Sequence, residues 1–258
     1  MASAPQQQAL PLFYKDLMPL STQEHADFRI RGADRAPFVA NVHAIPLTVE
    51  EFPVAQRHMP IVFSVGDEPV PLALMGLNEG VNVFFDEEGK LTQDPFYVPA
   101  YIRRYPYLLA RLNPDNDELS LCFDPTTDLI GKFDEGERLF EDGQPSEATK
   151  AILGFNEQFE QAGQRTAMFI KDLKELDILI DGEVTIQPEG AAQPFIYRGF
   201  LMVDEAKLNE LRGDQLRKIV QNGMLPLIYA HLFSLSMMRD VFARQQQQGK
   251  TPVPQLVS

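Results

Sequence analysis

The two halves of the chain have different sequence patterns, and the change near residues 133–149 limits the fold that the chain can adopt. In the first half, short apolar runs are separated by Pro, Gly, Asn and Asp, as in strands that are joined by turns. The segment 86–90 favours a hairpin turn, because Gly89 tolerates the positive φ that such turns need. This half therefore predicts an antiparallel sheet. Its predicted strands are PIVFSV at 60–65, VPLALMGL at 70–77, VNVFF at 81–85 and LSLCF at 119–123.

A long helix is predicted at the start of the second half. Ser146 can cap its first turn, and apolar residues then recur in steps of three and four over residues 152–176. This spacing keeps one stripe of the helix facing a partner. We expect the partner to be the chain's own C-terminal helix, with a second copy in a homo-oligomer as the alternative. The stripe consists of Ile152, Phe155, Phe159, Ala162, Thr166, Phe169, Leu173 and Leu176.

The remainder of the chain predicts two strands followed by a helical C-terminus. Asp204 and Asp214 are placed to cap two short helices, and Gly223 can end the second of them. Pro226 suits the first turn of a third helix, which keeps an apolar face along its length. The predicted elements are strands at 183–187 and 195–203 and helices at 205–211, 215–222 and 226–242.

These patterns together predict an α+β fold, in which helices pack on an antiparallel sheet, with a long helix in the second half and a helical C-terminus. We expect a single domain over residues 10–244, which is sheet-rich at 10–133 and helix-rich at 146–244. Both ends of the chain are polar, so residues 1–9 and 245–258 are expected to be flexible tails.

Charge and cysteine content restrict the partners and the compartment. The chain carries 23 Lys and Arg against 37 Asp and Glu, and its net charge of −14 repels nucleic acids and anionic membrane surfaces. Cys122 is the sole cysteine, which excludes an intramolecular disulfide and a cysteine-based zinc site within one chain. The first twenty residues lack the pattern of a secretory signal. We therefore expect a cytoplasmic protein that does not bind nucleic acid.

The most apolar segment, MLPLIYAHLFSLSMM at 224–238, is too short to cross a membrane as a helix. A bilayer-spanning helix needs about 20 apolar residues, whereas Pro226 and His231 interrupt this segment and Arg239 follows it directly. The segment therefore predicts a buried core helix and no membrane span.

Four stretches of the chain stand out together: EFPVAQRHMPIVFSV at 51–65, LALMGLNEGVNVFFDEEG at 72–89, YVPAYIRRYPYLL at 97–109 and GMLPLIYAHLFSLSMM at 223–238. With these stretches, in this order and spacing, the chain resembles the bacterial SapC family from about residue 11 to residue 242. Leu91 stands where the family commonly has Trp.

The resemblance implies little about activity, because members of the family are generally uncharacterised. The family name comes from an association with a surface-layer protein and is sometimes confused with that of a peptide-transport permease. A surface-layer role would require export, and a permease would require membrane spans.

The best candidate ligand site combines arginines with tyrosines. Adjacent arginines form a local positive spot on a chain of net charge −14, where they can bind a carboxylate or phosphate while tyrosine rings stack on the ligand. This predicts a site for a small anionic or aromatic molecule. A structural interpretation stays open, in which these side chains cover the edge of the core and pair with acidic residues. The candidate residues are Tyr101, Arg103, Arg104, Tyr105 and, from a neighbouring turn, Asn82.

Other chemistries lack a sequence signature. The histidines form no HxD, HExxH or HxxxH pair, so no metal site is predicted, and His231 is expected to be a core histidine hydrogen-bonded to a backbone group or carboxylate. Cys122 lies in an apolar strand and is expected to be inert. Residues 113–124 fit an acidic turn better than a calcium loop. Nucleotide-binding glycine motifs and the GxSxG elbow are absent from the sequence, and no particular cofactor is indicated.

These observations favour a non-catalytic binding or accessory protein of the bacterial cytoplasm, whose partner is another protein or a small anionic or aromatic ligand. One alternative is an enzyme whose site residues are dispersed in the sequence, such as a metal-dependent oxygenase. A surface-layer-associated protein is the other alternative, and it rests on the resemblance alone.

Overall fold

The computed structural model describes residues 10–112, 118–188 and 193–251, and it contains antiparallel sheets, a helix of 29 residues and a helical C-terminus. The α+β prediction is therefore confirmed. The helices are α1 (Phe52–Ala55), α2 (Ala100–Arg104), α3 (Glu147–Glu175), α4 (Glu205–Asn209), α5 (Gly213–Gln221), α6 (Met224–Ser234) and α7 (Met237–Gln247). The strands are β1 (Met18–Pro19), β2 (Arg29–Ile30), β3 (Ala44–Pro46), β4 (Ile61–Ser64), β5 (Pro71–Leu74), β6 (Tyr107–Arg111), β7 (Leu119–Phe123), β8 (Ile130–Gly131), β9 (Glu137–Arg138), β10 (Phe140–Glu141), β11 (Gln144–Pro145), β12 (Leu179–Asp181), β13 (Val184–Ile186), β14 (Phe195–Tyr197) and β15 (Phe200–Val203).

The chain divides into two compact units, each built from two separate parts of the sequence. Among the described residues, unit 1 contains those up to Asp34 and those from Arg104 to Glu160, and unit 2 contains those from Arg35 to Arg103 and those after Glu160. The single domain over residues 10–244 stays a prediction.

Unit 1 is built on small antiparallel sheets. Strands β1, β7 and β6 form one sheet in that order, with Cys122 of β7 opposite both Pro19 and Leu108. A second sheet has the order β8, β2, β9, and β10 pairs with β11. Ile152 on the first turns of α3 packs against a buried apolar cluster between these elements. The cluster consists of Tyr107, Phe123, Ile130, Leu139 and Phe140.

Unit 2 is built on an antiparallel five-stranded sheet with the order β12, β15, β4, β5, β3. Helix α6 packs against β4 and β15 near the middle of this sheet. Phe169 of α3 is buried and meets the ring of Phe52 edge-on at 5.8 Å. The α3 stripe is thus covered by the chain itself at Ile152 in unit 1 and at Phe169 and Leu173 in unit 2.

Local signals placed several elements correctly. Ser146 caps α3, since its Oγ accepts a hydrogen bond from the amide of Thr149 at 3.2 Å, and Asp204 caps α4 through the amides of Ala206 and Lys207. Gly89 lies in the predicted turn with φ +77°, and a Cβ atom there would overlap the backbone of Ala36. This turn therefore requires glycine.

The predicted strand at 81–85 is wrong, because within it only Phe85 makes a β-bridge, to Leu91. The side chain of Asn82 explains the difference. Its Oδ1 accepts hydrogen bonds from the amides of Phe84 and Phe85, so these amides pair with a side chain and do not join a strand ladder.

The helices at the C-terminus differ from the prediction in two places. Arg212 is the N-cap of α5, so Asp214 lies inside the first turn and not at the cap. The third predicted helix is two helices, because α6 ends at Ser234 and α7 begins at Met237. Ser234 and Ser236 donate side-chain hydrogen bonds to carbonyl groups of the preceding turn, which competes with regular helix geometry at this break.

The expected tail from residue 245 is in part ordered by polar contacts. Gln245 is fully buried, with its Oε1 accepting from the amide of Leu77 at 2.6 Å and its Nε2 donating to Asn78 Oδ1 at 2.9 Å. Lys250 donates to the carbonyl of Asn82 at 2.6 Å. Residues 1–9, 113–117 and 252–258, which were predicted to be tails and part of an acidic turn, lie outside the described residues.

No helix among the described residues has both the length and the apolar character to cross a membrane.

Candidate functional site

The predicted site residues fall in both units, because the chain passes from unit 2 to unit 1 between Arg103 and Arg104. Helix α2 carries Tyr101 and both arginines and ends immediately before Tyr105-Pro106. This end agrees with the bias of a residue before proline against helical geometry. Tyr101 and Arg104 are buried, whereas Arg103 is exposed.

In unit 2, Arg103 is held on the surface by its own helix and by Tyr97. Its Nε donates to the carbonyl of Val98 at 3.1 Å, and its Nη2 donates to the hydroxyl oxygen of Tyr97 at 3.4 Å. The guanidinium carbon lies 5.7 Å from the centroid of the Tyr97 ring. These contacts fix Arg103 as a surface cation beside an aromatic ring.

Tyr97 in turn binds a buried carboxylate, that of Glu51. The hydroxyl of Tyr97 and the amide of Ala100 donate to Glu51 Oε1 at 3.0 and 2.7 Å, while the amide and the hydroxyl of Thr48 donate to Oε2. Burial, followed by the negative charge of Glu51, raises the pKa of Tyr97 to about 12. Tyr97 therefore remains a protonated donor, and Glu51 anchors the segment that leads into α2.

Asn82 uses all its side-chain hydrogen-bonding groups within unit 2. Its amide nitrogen donates to the carbonyls of Val39 and Val42 at 2.9 and 3.2 Å, and its oxygen accepts from Phe84 and Phe85. An asparagine amide has two donor and two acceptor positions. A ligand could therefore hydrogen-bond to the Asn82 side chain only by replacing one of these backbone partners.

In unit 1, Arg104 forms the centre of an aromatic–arginine cluster. Its side chain is 8% exposed, and Nη1 lies 3.5 Å from Oε1 of Glu160, whose side chain is 39% exposed. The guanidinium carbon lies 4.4 Å from the ring centroid of Phe159 and 5.9 Å from that of Tyr14. We define the cluster as Tyr14, Arg104, Tyr105, Phe159 and Glu160.

Tyr105 extends the cluster towards a buried carboxylate. Its ring meets that of Tyr14 edge-on at 5.3 Å, and its hydroxyl is hydrogen-bonded to the side chains of Asp124 and Thr127. Burial raises the pKa of Tyr105, and the negative charge of Asp124 raises it further. Burial also raises the pKa of Asp124, but hydrogen bonds from Lys15 and Thr126 outweigh this effect and hold that pKa below its usual value.

The cluster has the chemistry to exchange one anion for another at Arg104. A guanidinium binds carboxylates and phosphates in a planar, two-point geometry and also packs on aromatic faces. The anion that it now holds belongs to Glu160, a partly exposed carboxyl group whose pKa is raised by burial against the opposing effect of Arg104. Burial thus disfavours the charged form of Glu160, whereas Arg104 favours it.

Cys122, His231 and His25 are buried and have structural surroundings. Burial raises the pKa of the Cys122 thiol, which makes it a poor nucleophile. His231 is fully buried and binds backbone groups of two strands, which confirms its predicted place as a core histidine. His25 is also buried, with Nδ1 accepting from the amide of Ser21 at 3.1 Å. The part of the chain that the structure describes contains no group of three or more His, Cys, Asp or Glu side chains able to hold a metal ion.

The sequence named Arg104 and Tyr105 as candidate site residues but did not indicate the residues that contact them. The contact of Arg104 with Phe159 and Glu160 joins residues 55 and 56 positions apart, and no local pattern signals it. Glu51 was also missed, although the spacing Thr48 to Glu51 is that of a capping box, which the structure contains.

Comparison with known proteins gives a family but no close relative. The SapC family model matches residues 20–241, which is most of the chain. No curated protein matches the chain, and no solved structure matches it. On the strength of the match to the family model, the chain belongs to the SapC family.

Proposed function

We propose that this chain is a non-catalytic binding or accessory protein of the bacterial cytoplasm, and that it holds a small anionic or aromatic molecule at the aromatic–arginine cluster. The observation that supports the proposal is the position of Arg104, whose guanidinium carbon lies 4.4 Å from the ring centroid of Phe159 and 5.9 Å from that of Tyr14 and whose Nη1 is paired with a partly exposed Glu160. An anionic ligand would replace the Glu160 carboxylate on Arg104 and pack its apolar part on the rings.

The acidic character of the chain explains why an anionic ligand would bind at Arg104. With a net charge of −14, most of the protein repels anions, so an anionic ligand needs a local cation that burial and aromatic packing hold in place. Burial also strengthens the attraction between the guanidinium and an anion, because water screens the pair less than at the surface. Arg103 has the same charge but is exposed to solvent, which makes it the natural control for Arg104.

Native mass spectrometry of the purified protein tests the proposal as a whole. A binding protein is expected to retain a small molecule that is released by denaturation and that is unchanged after prolonged incubation with the protein. Conversion of the molecule during incubation, or one iron or zinc per chain in elemental analysis, would overturn the proposal in favour of an enzyme. A protein recovered outside the cytoplasmic membrane on cell fractionation would contradict the proposed compartment.

A further inference from the structure

Residues 244–250 at the end of α7, which we call the strap, hold residues 77–85, which we call the strapped segment. Gln245 of the strap is fully buried. Its Oε1 accepts a hydrogen bond from the amide of Leu77 at 2.6 Å, and its Nε2 donates to Oδ1 of Asn78 at 2.9 Å. Buried polar groups are costly without such partners, so the strap and the strapped segment satisfy each other only while they are in contact.

Two further side chains extend the contact along the strapped segment. Gln248 Nε2 donates to the carbonyl of Val83 at 2.9 Å, and Lys250 Nζ donates to the carbonyl of Asn82 at 2.6 Å. The amide of Lys250 also donates to the carbonyl of Gln245 at 2.8 Å, as in the Schellman motif that ends many helices. The end of the helix thus turns the chain back towards Asn82.

The strap is anchored less firmly than the part of α7 that precedes it. Val241 and Phe242, just before the strap, are apolar and buried. Within the strap Gln245 is buried, whereas residues 246–249 are exposed, and the contacts described above are polar. Segments with few buried apolar contacts open at a lower free energy than the core does. The strap can therefore detach while α7 stays packed as far as Phe242.

We infer that the strap is a conformational device that opens locally, as one unit with the strapped segment, while the five-stranded sheet stays folded. Opening gives water access to the amide of Leu77 and to the ring of Phe84. That ring is 2% exposed, and the guanidinium carbon of Arg244 lies 5.5 Å from its centroid, so the closed strap shields it. The open state is thus distinguished by an exposed aromatic ring. This inference does not depend on the ligand proposed for Arg104.

Hydrogen exchange measured by mass spectrometry tests the inference with a matched pair of glutamine variants. Gln245→Ala removes the partner of Leu77 and Asn78. We expect exchange in the strap and in the strapped segment to become faster together, by at least about tenfold, while peptides from β4 and β15 keep the rates of the parent protein. Gln246→Ala shortens the neighbouring glutamine, which is exposed, and should leave all rates unchanged.

Lys250→Met is a second variant, which decides the question alone if Gln245→Ala proves unfolded. It keeps the length of the side chain but removes the ammonium group that donates to Asn82, and it lies outside the buried core. It should also make exchange in the strapped segment faster and leave β4 unchanged. Unchanged exchange of the strapped segment in the folded variants overturns the inference. Equal acceleration of the strapped segment and β4, or the same acceleration in Gln246→Ala, overturns it as well.

Discussion

The backbone amide of Val203 donates a hydrogen bond to Nε2 of His231 at 3.1 Å, which fixes the neutral form of this buried histidine. Because Nε2 is an acceptor, Nδ1 carries the proton and donates to the carbonyl of Ile61 at 2.8 Å. Val203 belongs to β15 and Ile61 to β4, so one side chain of α6 joins two neighbouring strands of the five-stranded sheet. A second proton on the ring removes the acceptor at Nε2, so the hydrogen bond from the amide of Val203 is lost.

Stability should therefore fall as His231 becomes protonated. Burial lowers the pKa of His231 from 6.5 to about 4. As the pH falls, the unfolded chain therefore takes up this proton at a higher pH than the folded chain does. The contribution of neutral His231 to the free energy of unfolding is complete above pH 6.5 and is lost as the pH falls towards 4. Its full value is on the order of 3 kcal/mol. Urea unfolding of the parent protein and of His231→Gln, from pH 7 to pH 4.5, measures how the free energy of unfolding depends on pH. We expect this dependence to be weaker in the variant.

If the free energy of unfolding depends on pH equally in the parent protein and in His231→Gln, His231 is not the group responsible. His58→Gln is the control, because burial and the neighbouring Arg57 lower the pKa of His58 as well. His58 is only partly buried, so its replacement should change the pH dependence much less than that of His231.

Loss of the Glu51 carboxylate should destabilise the segment that leads into α2. In Glu51→Gln, an amide nitrogen replaces one acceptor oxygen and faces the donors of Tyr97 and Ala100 or those of Thr48. We expect the free energy of unfolding to fall by about 2–3 kcal/mol, since buried donors lose their acceptor. Chemical denaturation measures the change. Glu50→Gln is the control, because it removes only an ion pair between partly exposed Glu50 and Arg165, and it should change the free energy of unfolding by less than about 1 kcal/mol. A similar loss of stability in both variants would argue against the anchoring role of Glu51.

Replacement of Gly89 separates backbone strain from steric overlap. Gly89 and Gly80 both have φ +77°, but a Cβ atom at Gly89 would overlap Ala36, whereas at Gly80 it would meet open space. Gly80→Ala is therefore expected to lower the free energy of unfolding by about 1 kcal/mol, the effect of the left-handed backbone alone. Gly89→Ala should lower it by clearly more, as measured by thermal and urea unfolding. Equal effects would mean that the turn moves away from Ala36 without penalty.

The sequence was sufficient where a local interaction determines the structure. The cap of α3 at Ser146, the turn at Gly89 and the apolar periodicity of α3 all depend on residues close together in the chain, and all were predicted. The strand at 81–85 failed because a single side chain, that of Asn82, takes the amides of the segment. The hydrophobic pattern does not show that a side chain competes with a neighbouring strand for these amides.

Partners far apart in the sequence could not be predicted. Gln245 looked like part of a polar tail, yet its partners Leu77 and Asn78 precede it by 168 and 167 residues. The same holds for Arg104 and Glu160, whose pairing brings α2 and α3 residues of unit 1 together. In both cases residues far away in the sequence contact a buried polar side chain, whereas composition alone treats such residues as exposed.

The proposed binding at Arg104 is tested most directly by titration with benzoate, a small aromatic anion, using isothermal calorimetry. We expect saturable binding to the parent protein, a loss of at least about tenfold in affinity for Arg104→Lys, which keeps the charge but lacks the planar fork, and no change for Arg103→Lys. Thermal unfolding should show Arg104→Lys to be folded at the titration temperature. Absence of saturable binding up to about 10 mM benzoate, or equal affinity in the parent protein and folded Arg104→Lys, would contradict the proposed site.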